Sequence, residues 1–432
     1  MPAAAARRRL AVIAVPPVIQ NAEIALPSLD GDRLWRTLEN AAAIGAWRTP
    51  GVQRLALTDP DWLMRDTFCM WCRDSGLSVT VDRVGNIFAR RQGTEDLRPV
   101  MVGSHLDTQV AGGRYDGALG VLTGLEIVRW LQDQGAVTRH PVEIVSWSNE
   151  EGARFRPPML GSAVFAGALP LDRALATTDD AGMSFGAELE RIGYAGVVPV
   201  PGAAPSAYFE FHIEQDDILE QRGADLGVVT SAFPVRGMAI RFEGETAHAG
   251  STPMSRRRDA LVGAAEVVAA LPTLAERHGD QARASTTRMD VWPGCTGIIP
   301  SEVVLTVDFR HPQDDALAEM TGQLDRIIQR ACERRGLGAT TESVWEFGSG
   351  LAFDRELAAV VRRWAQRLGV ETIDMASVAG HDAYWLATIA PAQIVFVPCV
   401  GGVTHNEHED IDYARVLRSA NVLAAAVLDA AR

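Results

Sequence analysis

Short, wholly apolar runs alternate along this chain with stretches of helical spacing. Four such runs, at Val100–Gly103, Val142–Trp147, Tyr208–Phe211 and Ile394–Val397, predict buried β-strands. Between the first two, Gly117–Leu131 repeats its apolar residues at helical spacing, which predicts a helix. This alternation of strands and helices predicts an α/β fold with a mostly parallel sheet and helices on both faces.

The pattern changes in the middle of the chain. Met238–Glu243 alternates like a strand, and Asp259–Leu271 has the spacing of an apolar helix. Two further strand patterns, Thr286–Trp292 and Val303–Phe309, then precede a long helix pattern at Asp315–Arg335. A β-α-β-β-α order is typical of a small split-βαβ layer, so we predict a separate α+β, ferredoxin-like layer here.

The length of the chain supports two domains, because 432 residues exceed the size at which one hydrophobic core stops growing. We predict a main domain of mostly parallel sheet at residues 31–227 and 347–432, with the ferredoxin-like domain inserted at residues 228–346. Residues 1–30 hold a basic cluster, a brief apolar run and prolines, which predicts a disordered extension. A signal peptide is the alternative for that stretch.

Composition excludes several classes of function. The net charge of −14 argues against nucleic acid or an anionic membrane as partner, because both need clustered cations. All 41 basic residues are arginine, so Schiff-base and pyridoxal chemistry, which need a lysine, are excluded. Beyond the brief apolar run near the N-terminus, no stretch approaches the ~20 apolar residues that a membrane-spanning helix needs. We therefore expect a cytoplasmic protein.

Histidines and acids follow the predicted buried strands. The sequence places His105, the pair Glu150 and Glu151, His212 and His405 after four different strands. In an open parallel sheet these strand ends lie at one rim, where ligands gather. Each residue alone is more often structural, but burying this many carboxylates together without a cation would be costly. The joint pattern therefore predicts a metal site in the main domain, which makes it the catalytic domain.

The types of ligand indicate what the site binds. Imidazole and carboxylate without thiolate suit a catalytic site for two divalent ions, Zn²⁺ or Mn²⁺, with Co²⁺ or Ni²⁺ as alternatives. Asp116, in a Gly-flanked loop, is the best candidate to bridge the two ions. Asp107 is expected to orient the ring of His105. Of Glu150 and Glu151, one is expected to bind metal and the other to act as the general base.

Seven motifs carry a resemblance to a known family. The motifs run in order as VGSHLDTQVAGGRYDGALG, WSNEEGARF, FHIEQ, GETAHAGSTPM, VDFRHP, AGHDA and GGVTHNEHE. Together they resemble the M20-type metallohydrolases and, within them, the hydantoinase/carbamoylase branch of N-carbamoyl-L-amino-acid hydrolases, β-ureidopropionases and allantoate amidohydrolases. The resemblance implies hydrolysis of the C–N bond of N-carbamoyl amino acids or related ureido acids by metal-bound hydroxide.

The resemblance also implies roles for individual residues. It implies metal ligation by five residues, with Glu150 as the base: His105, Asp116, Glu151, His212 and His405. It implies a homodimer built through the inserted domain, in which His248 reaches the partner's active site and stabilises the oxyanion. Arg310 matches the arginine that binds the substrate carboxylate, and Gln215 matches a substrate-contacting glutamine. His381 lies in a matched motif, without an assigned role.

Two residues depart from the family pattern. Asp216 stands where the family usually has glycine, and Gly297 stands where it usually has an asparagine that helps to bind the substrate carboxylate. The loss of that amide predicts an altered substrate carboxylate site. Two alternatives to a carbamoyl hydrolase remain open at this point. They are an aminoacylase or peptidase of the same fold, and a non-catalytic dimeric binding protein.

Overall fold

The structure of the protein, a computed structural model, describes residues 26–348 and 351–432. Most of the expected N-terminal extension, residues 1–25, lies outside the described residues. The end of that segment belongs to the folded chain. Leu29 is buried, and the side chain of Asp30 caps the first helix, so the fold begins slightly before residue 31, where the sequence placed its start.

Strands and helices alternate through the described residues. The strands are β1 (Ser78–Val81), β2 (Ile87–Arg91), β3 (Val100–His105), β4 (Val142–Trp147), β5 (Ala207–Ile213), β6 (Leu226–Ala232), β7 (Val235–Glu243), β8 (Ala247–His248), β9 (Arg283–Ser285), β10 (Met289–Trp292), β11 (Ile298–Ile299), β12 (Glu302–Arg310), β13 (Gly338–Phe347), β14 (Thr372–Ser377) and β15 (Ala392–Val397). The α-helices are α1 (Gly31–Ala43), α2 (Asp59–Asp74), α3 (Ala118–Asp133), α4 (Leu160–Phe165), α5 (Leu171–Ala176), α6 (Phe185–Arg191), α7 (Ile218–Arg222), α8 (Ala260–Glu276), α9 (Asp314–Arg335), α10 (Arg355–Leu368), α11 (Ala383–Leu386) and α12 (Tyr413–Ala430).

An eight-stranded sheet in the order β1-β2-β4-β3-β5-β15-β6-β14 forms the main layer. Its four central strands, β4, β3, β5 and β15, run parallel to their neighbours in this group. Every residue of these four strands is buried, because helices cover both faces. The predicted α/β class with a mostly parallel sheet is confirmed.

Two hydrophobic clusters lie against this sheet. The larger cluster includes buried residues of α3, α10 and α12, and the smaller one includes residues of α4 and α11. Helix α3 follows β3 directly and packs on the middle of the sheet. This arrangement fixes the loop between β3 and α3 at the carboxyl edge of the central strands.

A second, antiparallel sheet has the order β10-β12-β7-β13, with β9 paired to β12. Helices α8 and α9 pack on it around a third hydrophobic cluster. The chain order β7-α8-β10-β12-α9-β13 is the β-α-β-β-α-β order of a ferredoxin-like layer. The predicted α+β segment is therefore present as a layer of its own.

The limits of this layer differ from those predicted. Residues 228–232 lie in β6, which pairs with β14 and β15 in the large sheet, so the second layer begins only with β7. Of the predicted strand Thr286–Trp292, only Met289–Trp292 forms a strand, β10; β9 lies just before the predicted range and pairs with a different part of β12. In the described part of the chain, no helix is long and apolar enough to cross a membrane.

Candidate metal centre

The four central strands deliver most of the predicted ligands to one edge of the sheet. His105 is the last residue of β3, and His212 lies next to the end of β5. Glu150 and Glu151 follow β4, and His405 lies in the loop that follows β15. Because β4, β3, β5 and β15 are adjacent and parallel, their carboxyl ends meet at this rim.

Asp116 lies at the centre of these residues, in the loop that leads into α3. Its Oδ1 lies 3.5 Å from Nε2 of His105 and 3.1 Å from Nε2 of His212. Its Oδ2 lies 3.4 Å from Nε2 of His405, which is 3.5 Å from Oε2 of Glu151. The five residues thus form two groups of three that share Asp116, each with its ligand atoms within 4.8 Å of one another. One carboxylate whose two oxygens face different ligand groups is suited to bridge two cations.

The orientation of two imidazole rings shows that the centre fits cations. Nδ1 of His105 lies 2.9 Å from the carbonyl oxygen of Asp107, and Nδ1 of His212 lies 2.9 Å from that of Ile213. A carbonyl only accepts, so each Nδ1 carries hydrogen. Nε2 of neutral His212 then accepts the backbone N–H of Gly117 at 3.2 Å, and Nε2 of neutral His105 turns its lone pair towards Oδ1 of Asp116, 3.5 Å away. A proton or a cation must separate that lone pair from a carboxylate oxygen. Backbone carbonyls orient metal-binding histidines in the same way.

The crowding of charged groups shifts their pKa values. Burial lowers the pKa of His405, but the carboxylates of Glu151 and Asp116 outweigh burial and raise it to about 9. Burial also disfavours the charged form of Asp116, but the neighbouring histidines, His212 first, hold its pKa well below the usual range. Asp116 is therefore ionised near neutral pH, as a bridging ligand must be.

Asp107 supports the rim in a different way from the one predicted. Its carboxylate accepts the backbone N–H groups of Glu150 and Glu151, each at 3.2 Å. The ring of His105 is oriented by the backbone carbonyl of Asp107, while the carboxylate lies 3.9 Å from Nδ1. The carboxylate thus fixes the backbone of the glutamate pair, because the loop after β4 passes closer to it than the ring does.

Glu150 lies at the rim but outside both groups of three. Its Oε2 is 3.5 Å from Nε2 of His105, and the residue is buried. Burial, together with the nearby carboxylates of Asp382, Glu151 and Asp107, raises the pKa of Glu150 well above its ordinary value. A carboxylate beside the ligands whose pKa is raised is a stronger base than an exposed one, which suits a proton carrier. The geometry thus separates Glu150 from Glu151, which belongs to a ligand group.

Three residues that the sequence did not connect with Asp116 hold it in place. Oε1 of the buried Glu409 accepts the backbone N–H groups of Tyr115, at 2.8 Å, and of Asp116, at 3.0 Å. The hydroxyl of Thr404 lies 3.1 Å from Oδ2 of Asp116 and 3.2 Å from Oε2 of Glu409. The side-chain amide of Gln215 donates to the same Oδ2 at 2.9 Å. Asp116 is therefore fixed through both its backbone and its carboxylate.

His381 packs beneath the rim and belongs to neither ligand group. Its ring meets the ring of His212 edge-on, with the centroids 4.5 Å apart, and its Nε2 is buried without a hydrogen-bond partner in the described residues. Beside it, Glu210 accepts the hydroxyl of Ser104 at 2.8 Å. Burial raises the pKa of Glu210 and that of Asp382 above their ordinary values. This polar layer supports the rim from below.

Three rim residues adopt left-handed backbone conformations, which residues other than glycine rarely take. The φ angles are +54° at Asn149, +63° at Gln215 and +49° at His405. Such conformations cost free energy, on the order of 1–3 kcal/mol each, and persist where surrounding contacts enforce them. The side chains of Gln215 and His405 both contact Asp116, which is one source of that enforcement.

A cavity of about 410 Å³ opens between the rim and the second sheet, and Arg310 lines it from the second sheet. Nε of Arg310 pairs with Oδ1 of Asp308 at 2.7 Å, and Nη1 donates to the carbonyl of Val378 at 2.6 Å. Gln215 and Asp216 line the same cavity from the rim side. Arg310 and Gln215 therefore both face the cavity, where the sequence expected them to meet a substrate.

His248 is not brought to the rim of its own chain. It lies in β8, is exposed, and lines neither described cavity. Its Nδ1 accepts the backbone N–H groups of Gly250, at 3.0 Å, and Ser251, at 3.1 Å. The neutral ring therefore carries its hydrogen on Nε2, which makes that nitrogen a donor. Gly297 directly precedes β11, the strand that pairs with β8.

Comparisons with known proteins show what the chain is similar to. Residues 101–429 match the model of peptidase family M20/M25/M40. The chain is 43% identical to the N-carbamoyl-L-amino-acid amidohydrolase of Rhizobium meliloti, over 93% of this chain and 97% of that protein. It is 30% identical to the allantoate amidohydrolase of Escherichia coli, over 90% and 95% of the two chains.

Solved structures give the same result. An amidase of the hydantoinase/carbamoylase family from Burkholderia vietnamiensis superposes with a TM-score of 0.91 at 47% identity, covering 93% of this chain and 98% of that chain. An aminopeptidase, PepT from Bacillus cereus, superposes with a TM-score of 0.58 at 16% identity, covering 94% of this chain and 100% of that chain. That second likeness extends to the fold alone.

Proposed function

Because this chain belongs to peptidase family M20/M25/M40, we propose that it hydrolyses the ureido C–N bond of an N-carbamoyl amino acid or a related ureido acid, using two divalent cations. The chain is a hydrolase of amide bonds, like its relatives. A carbamoyl substrate would yield the free amino acid, carbon dioxide and ammonia.

One observation carries the proposal. The two oxygens of Asp116 face two different ligand groups at the rim of the central strands. The donor types, imidazole and carboxylate without thiolate, favour zinc or manganese and also admit cobalt or nickel.

The ligands divide between the two proposed cations. One would be held by His105, Asp116 and His212, and the other by Asp116, Glu151 and His405. Bound there, the cations would supply polarisation of the scissile carbonyl and acidification of a water molecule.

Glu150 is the proposed proton carrier. It lies beside His105 and outside both ligand groups, so its carboxylate is free to accept the proton of the attacking water. It then gives this proton to the leaving nitrogen, which must be protonated before the C–N bond breaks to release a neutral amine. Burial raises the pKa of Glu150 above its ordinary value, which makes the carboxylate a stronger base than a solvent-exposed one.

Arg310 and Gln215 are the proposed substrate-binding residues. The guanidinium of Arg310 is held by Asp308 and Val378 and faces the cavity, where it would bind the substrate carboxylate. Oε1 of Gln215 is buried without a hydrogen-bond partner in the described residues. A ureido N–H group that reached this oxygen would satisfy it.

His248 is proposed to act on the active site of a partner subunit in a homodimer built through the inserted segment. Two observations support this: its exposed position away from the rim of its own chain, and the hydrogen on its Nε2. That N–H would stabilise the negative charge that develops on the carbonyl oxygen. A cytoplasmic location stays a prediction.

A substrate panel tests the function. Metal-free protein is reconstituted with Mn²⁺ or Zn²⁺ and given N-carbamoyl amino acids, ureido acids, N-acetyl amino acids and dipeptides. We expect ammonia and free amino acid in equal amounts from carbamoyl substrates, and no product after chelation. Amino acid from N-acetyl substrates without ammonia from carbamoyl substrates would indicate an aminoacylase. No turnover of the whole panel would favour the non-catalytic binding protein.

A further inference from the structure

Two arginines stand side by side on the wall of the cavity formed by the second sheet. Strands β9 and β12 are antiparallel, and their register places Arg283 directly opposite Arg310. Directly opposed residues of an antiparallel pair project from the same face, with Cβ atoms roughly 5 Å apart. Both residues line the 410 Å³ cavity, and they are the only arginines among its lining residues in the described part of the chain.

The two guanidinium groups differ in how their charge is balanced. Arg310 is ion-paired with Asp308 and lies over the ring of Trp345. Arg283 is exposed and donates from Nη1 to two backbone carbonyls, those of Asp280 and Ala282. Among the described residues, no carboxylate lies within ion-pair distance of Arg283. Opposed like charges destabilise a strand pair, so the uncompensated charge here favours a bound anion.

The cavity extends from this wall to the rim that carries the proposed metal ligands. Gln215 and His405 line it from the rim, while Arg283 and Arg310 line it from the second sheet. A volume of about 410 Å³ lies within the usual range for small-molecule sites. A substrate whose ureido group lies at the rim therefore extends towards both arginines.

We propose that Arg283 binds a second anionic group of the substrate, so that the preferred substrates are N-carbamoyl or ureido acids with two carboxylates. This inference rests on the proposed function. Arg310 binds one carboxylate, and Arg283, whose charge is not compensated within the protein, binds the other. A guanidinium fork is well matched to a carboxylate.

Asp216 limits where the second carboxylate lies. It lines the cavity from the loop after β5, and its Oδ1 accepts the backbone N–H of Asp217 at 2.9 Å. An acidic substrate side chain is therefore repelled from the rim side and attracted to the wall that carries Arg283. The charges on the two sides of the cavity favour one orientation of a dicarboxylate.

Isosteric substrate pairs test the inference. The metal-reconstituted enzyme is assayed for kcat/KM on N-carbamoyl-L-glutamate against N-carbamoyl-L-glutamine, and on N-carbamoyl-L-aspartate against N-carbamoyl-L-asparagine. We expect wild type to prefer the acidic member of each pair by roughly tenfold or more. Arg283→Gln should lower kcat/KM for the acidic members by about 10- to 100-fold, mainly through KM, and leave the amides within about threefold.

Matched variants separate this role from a structural one. Arg277→Gln removes an exposed arginine at the end of α8 that does not line the cavity, and it should leave both ratios unchanged. Arg283→Lys keeps the charge and should restore part of the acidic preference. Circular dichroism and the melting temperature show whether Arg283→Gln is folded. If Arg283→Gln is not folded, the acidic-to-amide ratio of kcat/KM measured for Arg283→Lys decides. Loss of the guanidinium fork alone should still reduce the preference for acidic substrates.

Three outcomes would overturn the inference. They are no acidic preference in wild type, a preference for cationic side chains, and an equal loss on acidic and amide substrates in Arg283→Gln. The last would mean that both arginines share one carboxylate. The proposed function fails differently, by an absence of ammonia from every carbamoyl substrate, the amides included.

Discussion

At the scale of single residues, the centre depends on the position of one carboxylate. Asp116 contacts both ligand groups, so a small displacement changes both proposed cation sites at once. Gln215 and Thr404 both donate to its Oδ2, and Glu409 accepts its backbone N–H. Partners that orient metal ligands in this way typically contribute 10- to 100-fold to metal affinity.

We therefore predict that Glu409→Ala weakens metal binding by about 10- to 100-fold, because the backbone N–H groups of Tyr115 and Asp116 lose their acceptor. Titration calorimetry with Mn²⁺ or Zn²⁺ on metal-free protein measures the effect. Glu409→Gln keeps a carbonyl acceptor and should recover part of the affinity. His408→Ala, at an exposed neighbour, is the control. An unchanged dissociation constant in Glu409→Ala would show that this carboxylate does not position Asp116.

A buried carboxyl group far from the rim makes stability depend on pH. Glu143, in β4, is nearly buried, with 8% of its surface exposed, and burial raises its pKa from 4.5 to about 7 against a weaker opposing effect of Arg90. Because the folded-state pKa lies above the unfolded value, the fold favours the protonated form. Its contribution to stability is therefore lost as pH rises from about 4.5 to 7.

Glu143→Gln should remove this dependence, because the amide does not ionise. As the pH rises from 5 to 8, the free energy of unfolding of the variant should increase relative to that of wild type by roughly 2.5 kcal/mol, at about 1.36 kcal/mol per pKa unit. Urea denaturation at several pH values measures the difference. Glu39→Gln, at an exposed position of α1, should show none. A difference for Glu143→Gln that is the same at every pH would contradict the prediction.

At the scale of elements, the close contact of α3 with the sheet places the loop of Asp116. A Cβ atom added at Gly120 would lie 2.4 Å from the carbonyl oxygen of Phe211, and one at Gly124 would lie 3.2 Å from Val102. Only glycine allows the helix to lie this near to β3 and β5. The glycines of α3 are thus needed for its packing on the sheet.

Gly120→Ala is predicted to destabilise the protein by about 1–3 kcal/mol, because the contacted atom is backbone and the helix must shift. In an unconstrained helix the same change stabilises by roughly 1 kcal/mol. Gly322→Ala in α9, where a Cβ would meet nothing closer than 3.7 Å, should therefore stabilise and serves as the control. Melting temperatures compare the two. A higher melting temperature for Gly120→Ala would show that α3 can move away from the sheet without a loss of stability.

At the scale of the whole molecule, the proposed catalytic and binding residues are divided between two layers. The large sheet carries the ligand groups and Glu150, while the second sheet carries Arg310 and Arg283. The cavity between the layers is the place where both sets face the same volume. His248 belongs to the second layer but lines neither described cavity, which is why a partner subunit enters the proposal.

Subunit mixing tests this prediction. His248→Ala and Glu150→Gln should each lose about 10²-fold or more in kcat while retaining metal. Mixed dimers of the two variants contain one site with Glu150 from one chain and His248 from the other. Random reassortment should therefore restore about a quarter of wild-type activity. If His248 acts within its own chain, mixing restores nothing.

The central part of the fold and most of the centre were predictable from the sequence. Strands β3, β4, β5 and β15 are buried on both faces, so their apolar runs stand out without knowledge of their neighbours. His105 and His212 lie at the ends of two of these strands, and the other proposed ligands lie in the loops that follow β3, β4 and β15. The strands β6, β13 and β14 were not predicted, because they lie towards sheet edges or are only partly buried, and their apolar patterns are weak.

The sequence alone thus determined the class of fold, the set of residues at the rim and the exclusion of lysine chemistry, since these depend on local pattern and composition. Tertiary structure decided which residues meet. Glu409 reaches Asp116 across 293 residues of chain, and Arg283 faces Arg310 only through the register of β9 and β12. Long-range contacts of this kind depend on strand order and on the paths of loops, which no local spacing of residues encodes.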